Sequence, residues 1–296
     1  MTDKHGNLLL AKPGNGSAAK PEVERGQLRQ MLIDALPAGA IKWGHKVTEI
    51  TRTDHARHRI AFSDAPPVTT GLLIGADGAW SRVRPLLSAA QPSYVGTTFI
   101  ETLLLNADST HPASASAIGC GTLMAVAPGQ GILAHRYANG SVRSYIALNR
   151  SQAWISALDF STPLNGLTRI AAEFHDWAPQ LLALITDGDS TPIVRPIYAL
   201  PVAHRWKRVP GVTLLGDAAH LMSPFAGQGA NLAMHDAAHL AQALCAHPSD
   251  VEAALRAYEQ ALFPRSTTFA EQTAHNHQRF FGAKAPHSVA DLFARH

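Results

Sequence analysis

Residues 216–231 read Gly-Asp-Ala-Ala-His-Leu-Met-Ser-Pro-Phe-Ala-Gly-Gln-Gly-Ala-Asn, directly after the apolar run 212–215. The pattern predicts a buried strand that ends at Asp217, a loop containing proline, and a glycine-rich start to a long helix. An aspartate at the end of a strand can accept hydrogen bonds from ligand hydroxyls. Gly227 and Gly229 allow a ligand close to the backbone, where the helix N-terminus favours negative charge. The stretch therefore predicts a ligand site, although glycines that only permit tight packing are the alternative.

A second stretch, 69–84, repeats this design. An apolar strand ends in Gly75-Ala76-Asp77-Gly78, and a helix is predicted to begin at Ser81. Taken alone, Asp77 is equally well explained as a turn or helix-capping residue. Because ligands of open α/β sheets bind at the carboxyl ends of strands, we expect Asp77 and Asp217 to face one cleft.

The intervening chain has a different character. From about residue 97 to 149, short apolar runs are separated by Gly, Asn and Pro, which predicts an antiparallel sheet. A helix near 167–177 and a strand near 193–200 complete this β-rich domain, 97–200. The flanking segments, 1–96 and 201–250, form one α/β domain that is discontinuous in sequence. A helical region, 251–296, follows, and its predicted core residues are Leu255, Tyr258, Leu262 and Phe269.

Composition excludes several classes of protein. Apolar residues make up 46% of the 296 residues and charged residues 16%, and the net charge of +3 is scattered, so a nucleic-acid partner is not expected. No stretch has the apolar length of a membrane span, the first residues are too polar for a signal peptide, and no metal-binding motif is present. Cys120 and Cys245 lie in no CxxC pattern, which predicts small buried thiols in a reducing cytoplasm.

The two strand–acid–helix stretches carry a family resemblance. Residues 216–231 resemble the GD motif of the FAD-dependent monooxygenases related to para-hydroxybenzoate hydroxylase. They are close to the tetracycline-inactivating members, whose motif also reads Gly-Asp-Ala-Ala-His and then Pro-Phe-Ala-Gly-Gln-Gly. Residues 75–84 resemble the DG motif of the same family. Both occur in the family order, 140 residues apart (217 − 77), with the β-rich segment between them.

The resemblance implies an FAD- and NAD(P)-binding Rossmann-like domain with an inserted antiparallel substrate domain. It implies that Asp217 binds the ribityl chain and that Asp77 serves FAD and a transiently bound nicotinamide cofactor. Arg25, near the start of a helix predicted from about residue 21, is expected to contact FAD, unless it is only a surface arginine. Val47 is expected to meet the adenine through its backbone. The residues expected around the isoalloxazine ring are Pro224, Gly227, Gln228, Gly229, Ala230 and Asn231.

The implied reaction is a hydroxylation. NADPH reduces FAD, O₂ adds to give a flavin C4a-hydroperoxide, and one oxygen passes to an electron-rich aromatic or polycyclic substrate. The expected partners are that substrate and O₂, with a monomeric protein, and no catalytic acid–base pair stands out. Thr122 stands where the tetracycline branch has an arginine, and Arg143 stands near the place of a substrate-contacting histidine. Both are candidate substrate residues, and tetracycline itself is not expected.

The sequence departs from the family in one respect. It lacks the GxGxxG segment whose helix N-terminus binds the FAD pyrophosphate, since Gly14 and Gly16 have no third glycine after them. By comparison with the family layout, about ninety residues of a dinucleotide-binding unit are absent. We therefore expect weak FAD binding by this chain. Two alternatives stay open: a non-catalytic remnant that no longer holds FAD, and a flavin dehydrogenase or reductase of the same fold.

Overall fold

The computed structural model describes residues 1–12, 23–53 and 57–294, so Gly14 and Gly16 lie outside it. The first elements are α1 (Arg25–Asp34), β1 (Val47–Arg52), β2 (His58–Phe62), β3 (Val68–Thr70) and β4 (Leu73–Gly75). Strands β1, β2 and β3 form an antiparallel sheet in that order. A single 3₁₀ turn, Arg84–Leu86, follows β4.

The middle of the chain forms one five-stranded sheet with helices beside it. Its elements are β5 (Ser93–Leu104), α2 (Ala107–Thr110), α3 (Pro112–Ile118), β6 (Thr122–Ala127), β7 (Gln130–Arg136), β8 (Val142–Asn149), α4 (Gln152–Ser156), α5 (Pro163–Glu173), α6 (Pro179–Thr186) and β9 (Ile193–Ala199). The strand order is β6-β7-β8-β5-β9, and every pair is antiparallel, as the spacing predicts. The turn between β6 and β7 is Pro128-Gly129, and Gly129 takes a φ of 75° that favours glycine.

The last part contains β10 (Val212–Leu214), α7 (Asp217–His220), a 3₁₀ turn (Pro224–Ala226), α8 (Gly229–Ala246), α9 (Val251–Phe281) and α10 (His287–Ala294). Strand β10 pairs in parallel with β4. Helix α9 begins where its sequence predicts, because the Asp250 carboxylate accepts the Ala253 N–H at 2.9 Å and caps the first turn.

Three apolar cores hold these layers together. One core lies between one face of the five-stranded sheet and α3, α5 and α6. Another joins β4 and β10 to α8 and α9, and it buries the predicted core residues Leu255, Tyr258 and Leu262. The third lies on the opposite face of the five-stranded sheet, against Phe225, the end of α9 and α10. Phe269 is half-buried. None of the helices in the described residues is both long and apolar enough to span a bilayer.

Two sequence expectations are wrong. No α-helix begins at Ser81. The Ser81 hydroxyl accepts the N–H groups of Val83 (3.1 Å) and Arg84 (3.0 Å) as a helix-capping serine does, but the chain that follows makes only one tight turn, Arg84–Leu86. The cysteines are exposed rather than buried. Cys120 lies in the loop between α3 and β6, and Cys245 lies in the last turn of α8, away from the buried face of that helix.

Two boundaries also differ. The helix expected near 167–177 spans Pro163–Glu173, and the sheet expected from about residue 97 begins at Ser93. Helix α1 forms as predicted but has no buried residue, so Met31 and Leu32 stay exposed. An amphipathic period therefore predicts a helix without guaranteeing a partner for its apolar face.

Candidate active site

The parallel pair β4 and β10 brings the two acidic motifs together. The register pairs Leu73 with Val212 and Gly75 with Leu214, so both strands end at the same edge. Asp77 follows β4 by two residues and Asp217 follows β10 by three. The two acids therefore follow strands of one sheet, as expected. That they face one cleft stays a prediction.

Arg84 fixes the two acidic loops relative to each other. Its Nε donates to the carbonyl oxygen of Ala218 at 2.8 Å and its Nη2 donates to that of Ala79 at 2.8 Å, with longer bonds to Asp217 O (3.3 Å) and Gly78 O (3.4 Å). Arg84 is 3% exposed. Burial lowers the pKa of Arg84, and the nearby carboxylates of Asp77 and Asp217 oppose that shift. The buried guanidinium of Arg84 therefore interacts electrostatically with both Asp77 and Asp217.

Asp77 ties its loop to the small sheet. Its Oδ2 accepts the Arg82 N–H at 2.7 Å, and Arg82 Nη1 donates to Thr48 O at 3.0 Å. The register of β1 shifts between Val47 and Glu49, which leaves that carbonyl free for Arg82. Val47 therefore lies beside the Asp77 loop. Asp77 also acts as a turn residue, which is the alternative role that the sequence indicated.

The side chain of Asp217 is exposed, while the residues on either side of it, Gly216 and Ala218, are packed in the interior. The carbonyl of Ala219, in the same short helix, accepts from His204 at 2.6 Å. The backbone around Asp217 is thus held in place while its carboxylate faces outward.

The loop after this short helix is anchored by α9. Thr273 Oγ1 donates to Ser223 O at 2.7 Å, and Asn276 Nδ2 donates to Phe225 O at 3.0 Å. The Phe225 ring stacks on His277 with centroids 4.9 Å apart. Burial lowers the pKa of His277, so this ring is neutral near pH 7. The inward side of the loop is therefore rigidly packed, and Pro224 and Gly227 remain exposed.

The glycines of the two motifs fall into two physical classes. A methyl group built on Gly75 would meet Leu214 at 2.5 Å, and one built on Gly216 would lie 3.1 Å from Ala233, so these glycines allow tight packing. At Gly78, Gly227 and Gly229, nothing in the described residues lies within 4 Å of such a methyl group. Gly78 and Gly227 take φ values of 80° and 65° that favour glycine, whereas Gly229 is explained neither by packing nor by its backbone conformation.

Helix α8 begins at the open glycines. Within residues 1–12, 23–53 and 57–294, no side chain caps its first turn, so the N–H groups of Gly229, Ala230 and Asn231 lack there the partner that a capping residue supplies. Gln228 precedes them, half-buried. An 18-residue helix that starts with unpaired N–H groups beside open backbone is suited to the electron-rich edge of a flavin. The residues present therefore fit FAD on the ring side.

Beneath this loop, Asp236 gathers three donors. Its Oδ2 accepts the Gly216 N–H at 2.9 Å and His220 Nε2 at 2.6 Å, and its Oδ1 accepts Arg265 Nη2 at 2.9 Å. Full burial by itself raises the pKa of Asp236, but these hydrogen bonds and the charge of His220 outweigh burial and hold the pKa below its usual value. Asp236 thereby connects α8, α9 and the Asp217 loop.

The face of the five-stranded sheet opposite its helices forms a cleft. Phe225 packs against this face, with its ring centroid 5.9 Å from that of Phe99. Farther along the same face, a cavity of about 1,100 Å³ is lined by Arg143, Glu101 and Arg195, and by Arg25 from α1. The structure thus brings two predicted residues, Arg25 and Arg143, to the lining of one cavity.

Thr122 lies apart from that cavity. It lines a separate, largely apolar cavity of about 700 Å³, together with Met1, Leu8 and Phe293. Thr122 Oγ1 is 2.8 Å from His135 Nδ1, and His135 in turn pairs with Arg143 across the strands. The structure therefore links the two substrate candidates through one histidine but does not place them in the same cavity.

The sequence did not identify the residues whose contacts are with distant parts of the chain. Arg84, Glu101, Arg195 and Asp236 contact partners 20 to 134 positions away in the chain. The only available signal was charge in otherwise apolar stretches, such as Glu101 within β5. In the described residues, no three His, Cys, Asp or Glu side chains are grouped as metal ligands.

Comparison with known proteins agrees with this geometry. The family model of the FAD binding domain matches residues 27–273. The monooxygenase penA of Penicillium thymicola is 29% identical over 329 residues, which cover 93% of this chain and 76% of that protein. The fold is similar to Klebsiella pneumoniae HpxO complexed with FAD and uric acid (25% identity, 92% and 67% of the two chains, TM-score 0.73). It is also similar to the tetracycline destructase Tet(51) (20% identity, 99% and 75%, TM-score 0.68). The chain belongs to the FAD-binding family of aromatic-hydroxylase-type monooxygenases.

Proposed function

We propose that this protein binds FAD across the shared edge of β4 and β10 and hydroxylates an aromatic or polycyclic small molecule, with NADPH and O₂ as co-substrates. The observation that carries the proposal is the pair of acidic loops that Arg84 locks together beside the open glycines at the start of α8. Two motifs far apart in sequence meet there in the arrangement that a long cofactor needs.

The residues that would hold FAD divide by the part of the cofactor they face. We assign the ribityl chain to Asp217 and the isoalloxazine ring to Pro224 and to the segment 227–231. Asp77 and the backbone of Val47 would serve the adenosine side, and Arg25 would approach from α1. These assignments follow the family resemblance, and the exposure of Asp217 and Asp77 supports them.

When bound, the flavin supplies the redox chemistry, taking two electrons from the nicotinamide and using O₂ as the oxygen source. The chain supplies position and charge. The N–H groups at the start of α8 would stabilise negative charge on the ring edge, and the loop anchored by Thr273 and Asn276 would hold the ring in position. The face of the five-stranded sheet that carries Arg143 holds the substrate and limits access of water.

The division of labour follows the fold. We assign cofactor binding to residues 1–96 and 201–250, substrate binding to 97–200, and support of both to 251–296. Both cysteines are free thiols, which suits a reducing compartment such as the cytoplasm. We expect a monomer, which size-exclusion chromatography with light scattering would test.

The function is tested in two steps. FAD is first titrated into the purified chain, and binding is followed by the change in flavin absorbance and fluorescence. NADPH oxidation is then measured with candidate phenols under ¹⁸O₂, and the product is analysed for one labelled oxygen. Label in the product supports a monooxygenase, whereas NADPH oxidation without label indicates a dehydrogenase or reductase.

A second candidate function is a binding protein derived from this family that does not catalyse, because the sheet cavity of about 1,100 Å³ is lined without any residue of the segment 227–231. The discriminating result is ligand binding in the cleft without any flavin binding. Replacement of Asp217 by Asn distinguishes FAD binding from ligand binding. Loss of a ribityl contact should weaken FAD binding but leave ligand binding in the sheet cleft unchanged.

A further inference from the structure

The open face of the five-stranded sheet carries a cluster of three charges that the FAD assignment does not use. Glu101 lies in β5, and each neighbouring strand supplies one arginine to its carboxylate. Arg195 Nε donates to Oε2 at 2.6 Å, and Arg143 Nε lies 3.3 Å from Oε1. The Glu101 side chain is only 11% exposed, whereas those of Arg143 and Arg195 are 41% and 53% exposed. The carboxylate therefore lies beneath two guanidinium groups that face the cleft.

The charges of this cluster do not cancel. Two guanidinium groups share one carboxylate, so one positive charge remains uncompensated at the cavity surface. The buried Nε of Arg143 has no hydrogen-bond partner in the described part of the chain. The other ionised side chains of the cavity lining, Glu24 and Arg25, have opposite signs and are adjacent in sequence. The lining as a whole therefore keeps an excess of one positive charge.

The surroundings of the cluster are aromatic. The Tyr137 ring centroid is 5.5 Å from Arg143 Cζ, and Tyr145 packs against Phe99 with centroids 5.6 Å apart. Both tyrosines line the cavity. Aromatic walls suit a flat ring, and exposed guanidinium groups suit an anionic substituent on it.

We propose that Glu101 is a specificity-determining residue that sets the charge of the ligand this cleft accepts. By neutralising one of two guanidinium groups, it makes the cleft complementary to a planar ring bearing a single negative charge, a carboxylate or a phenolate. Neutral rings leave the excess charge unpaired, and a second negative charge on the ring would face Glu101 itself. The inference rests on the proposed function only in taking this cleft as the substrate site.

The test measures binding of a charge series to the full chain. The probes are benzamide, benzoate and isophthalate, which carry no charge, one and two negative charges above neutral pH, with para-nitrophenolate added to distinguish phenolate from carboxylate. Ligand-observed NMR titrations are made with and without FAD, so a chain that binds no FAD still gives an answer. FAD binding is measured separately by absorbance, which keeps the two proposals distinguishable.

In the wild-type chain, benzoate or para-nitrophenolate is expected to bind more tightly than benzamide, and the difference should shrink as salt is added. Glu101→Gln should raise affinity for benzoate about fivefold, the factor of one solvent-screened charge contact, and for isophthalate by more. Benzamide affinity should not change. Arg195→Gln should instead lower the affinity for the anionic probes, and the affinity for isophthalate should fall most.

The matched control is Glu173→Gln, which removes the same charge from the Arg150 ion pair outside the cavity and should leave all four affinities unchanged. Changes are compared between variants of one protein for each probe, so differences in probe size cancel. If Glu101→Gln weakens benzoate and isophthalate binding, or shifts benzamide equally, Glu101 does not set the accepted charge. If Glu101→Gln fails to fold, the Arg195→Gln ranking and the salt dependence still decide the matter.

Discussion

Replacement of Arg84 by Met is expected to loosen the joint between the two acidic loops. Methionine keeps much of the aliphatic length but removes four hydrogen bonds to carbonyl oxygens, two of them at 2.8 Å. Each short bond to a charged donor contributes about 1.5–3 kcal/mol. Two effects reduce this loss. Water can hydrate some of the released carbonyls, and the variant no longer has to bury a charged guanidinium group. We therefore expect the free energy of unfolding to fall by about 3 kcal/mol.

The effect is measured by urea denaturation followed by tryptophan fluorescence and by the melting temperature, which should fall by roughly 6 °C for this loss. FAD affinity should fall as well, because Asp77 and Asp217 are no longer held at a fixed separation. The matched control is Arg256→Met, which removes the same side chain from an exposed position on α9 and should cost less than about 0.5 kcal/mol. If Arg84→Met is as stable as Arg256→Met and binds FAD equally well, the loops are held by something other than Arg84.

The remaining predictions concern the loop and the cofactor. Gly229→Ala should leave stability unchanged or slightly higher but weaken FAD binding, whereas Gly216→Ala, at a φ of 58° and 3.1 Å from Ala233, should lower the melting temperature. Asp236→Asn should destabilise the fold at neutral pH. Because the pKa of Asp236 is lowered in the folded state, its carboxylate stabilises the fold fully above about pH 3.9, and this stabilisation is lost as the pH falls through the folded pKa. The free energy of unfolding of the variant should therefore depend less on pH in the acid range than that of the wild-type chain. A polypeptide of these 296 residues should bind FAD only weakly by calorimetry, and joining a glycine-rich strand–helix unit ahead of it should tighten binding, whereas submicromolar affinity without that unit would contradict the expectation.

Local patterns predicted the elements whose stability is local. The antiparallel sheet forms where the short apolar runs predict it and helix α9 begins at Val251 as expected, because apolar alternation, a Pro-Gly turn and an Asp250 cap act over a few residues. The motif spacing also predicted that Asp77 and Asp217 follow strands of one sheet. These features depend on periodicity and turn chemistry, which a single sequence contains.

The failures have a different physical origin. The helix expected at Ser81 stops after the single turn Arg84–Leu86, although the Ser81 hydroxyl caps its first N–H groups. The Arg84 side chain turns back to bind carbonyl oxygens more than 130 positions away, and a local pattern does not reveal such a contact. The small helices between β5 and β9 are stabilised by packing on the sheet rather than by their own propensity. Glu101 and Arg195 become informative only when β5 and β9 are placed side by side, since their pairing spans 94 positions.

Helix α9 connects the proposed cofactor side of the site to the proposed substrate side. Near its start, Leu255 and Tyr258 pack in the core beneath β4 and β10, and near its end Phe280 and Phe281 pack against the five-stranded sheet. Between these points, Thr273 and Asn276 hold the loop of residues 223–226. Pro264 lies inside α9 and removes one of its backbone hydrogen bonds. The stretch after Pro264 carries Thr273, Asn276, Phe280 and Phe281, so a displacement at the five-stranded sheet is passed directly to the loop. The separation between the flavin side and the charged cluster of the sheet is therefore set by a helix that supplies no residue to the predicted ligand contacts, and substitutions in its middle should alter cofactor and substrate binding together.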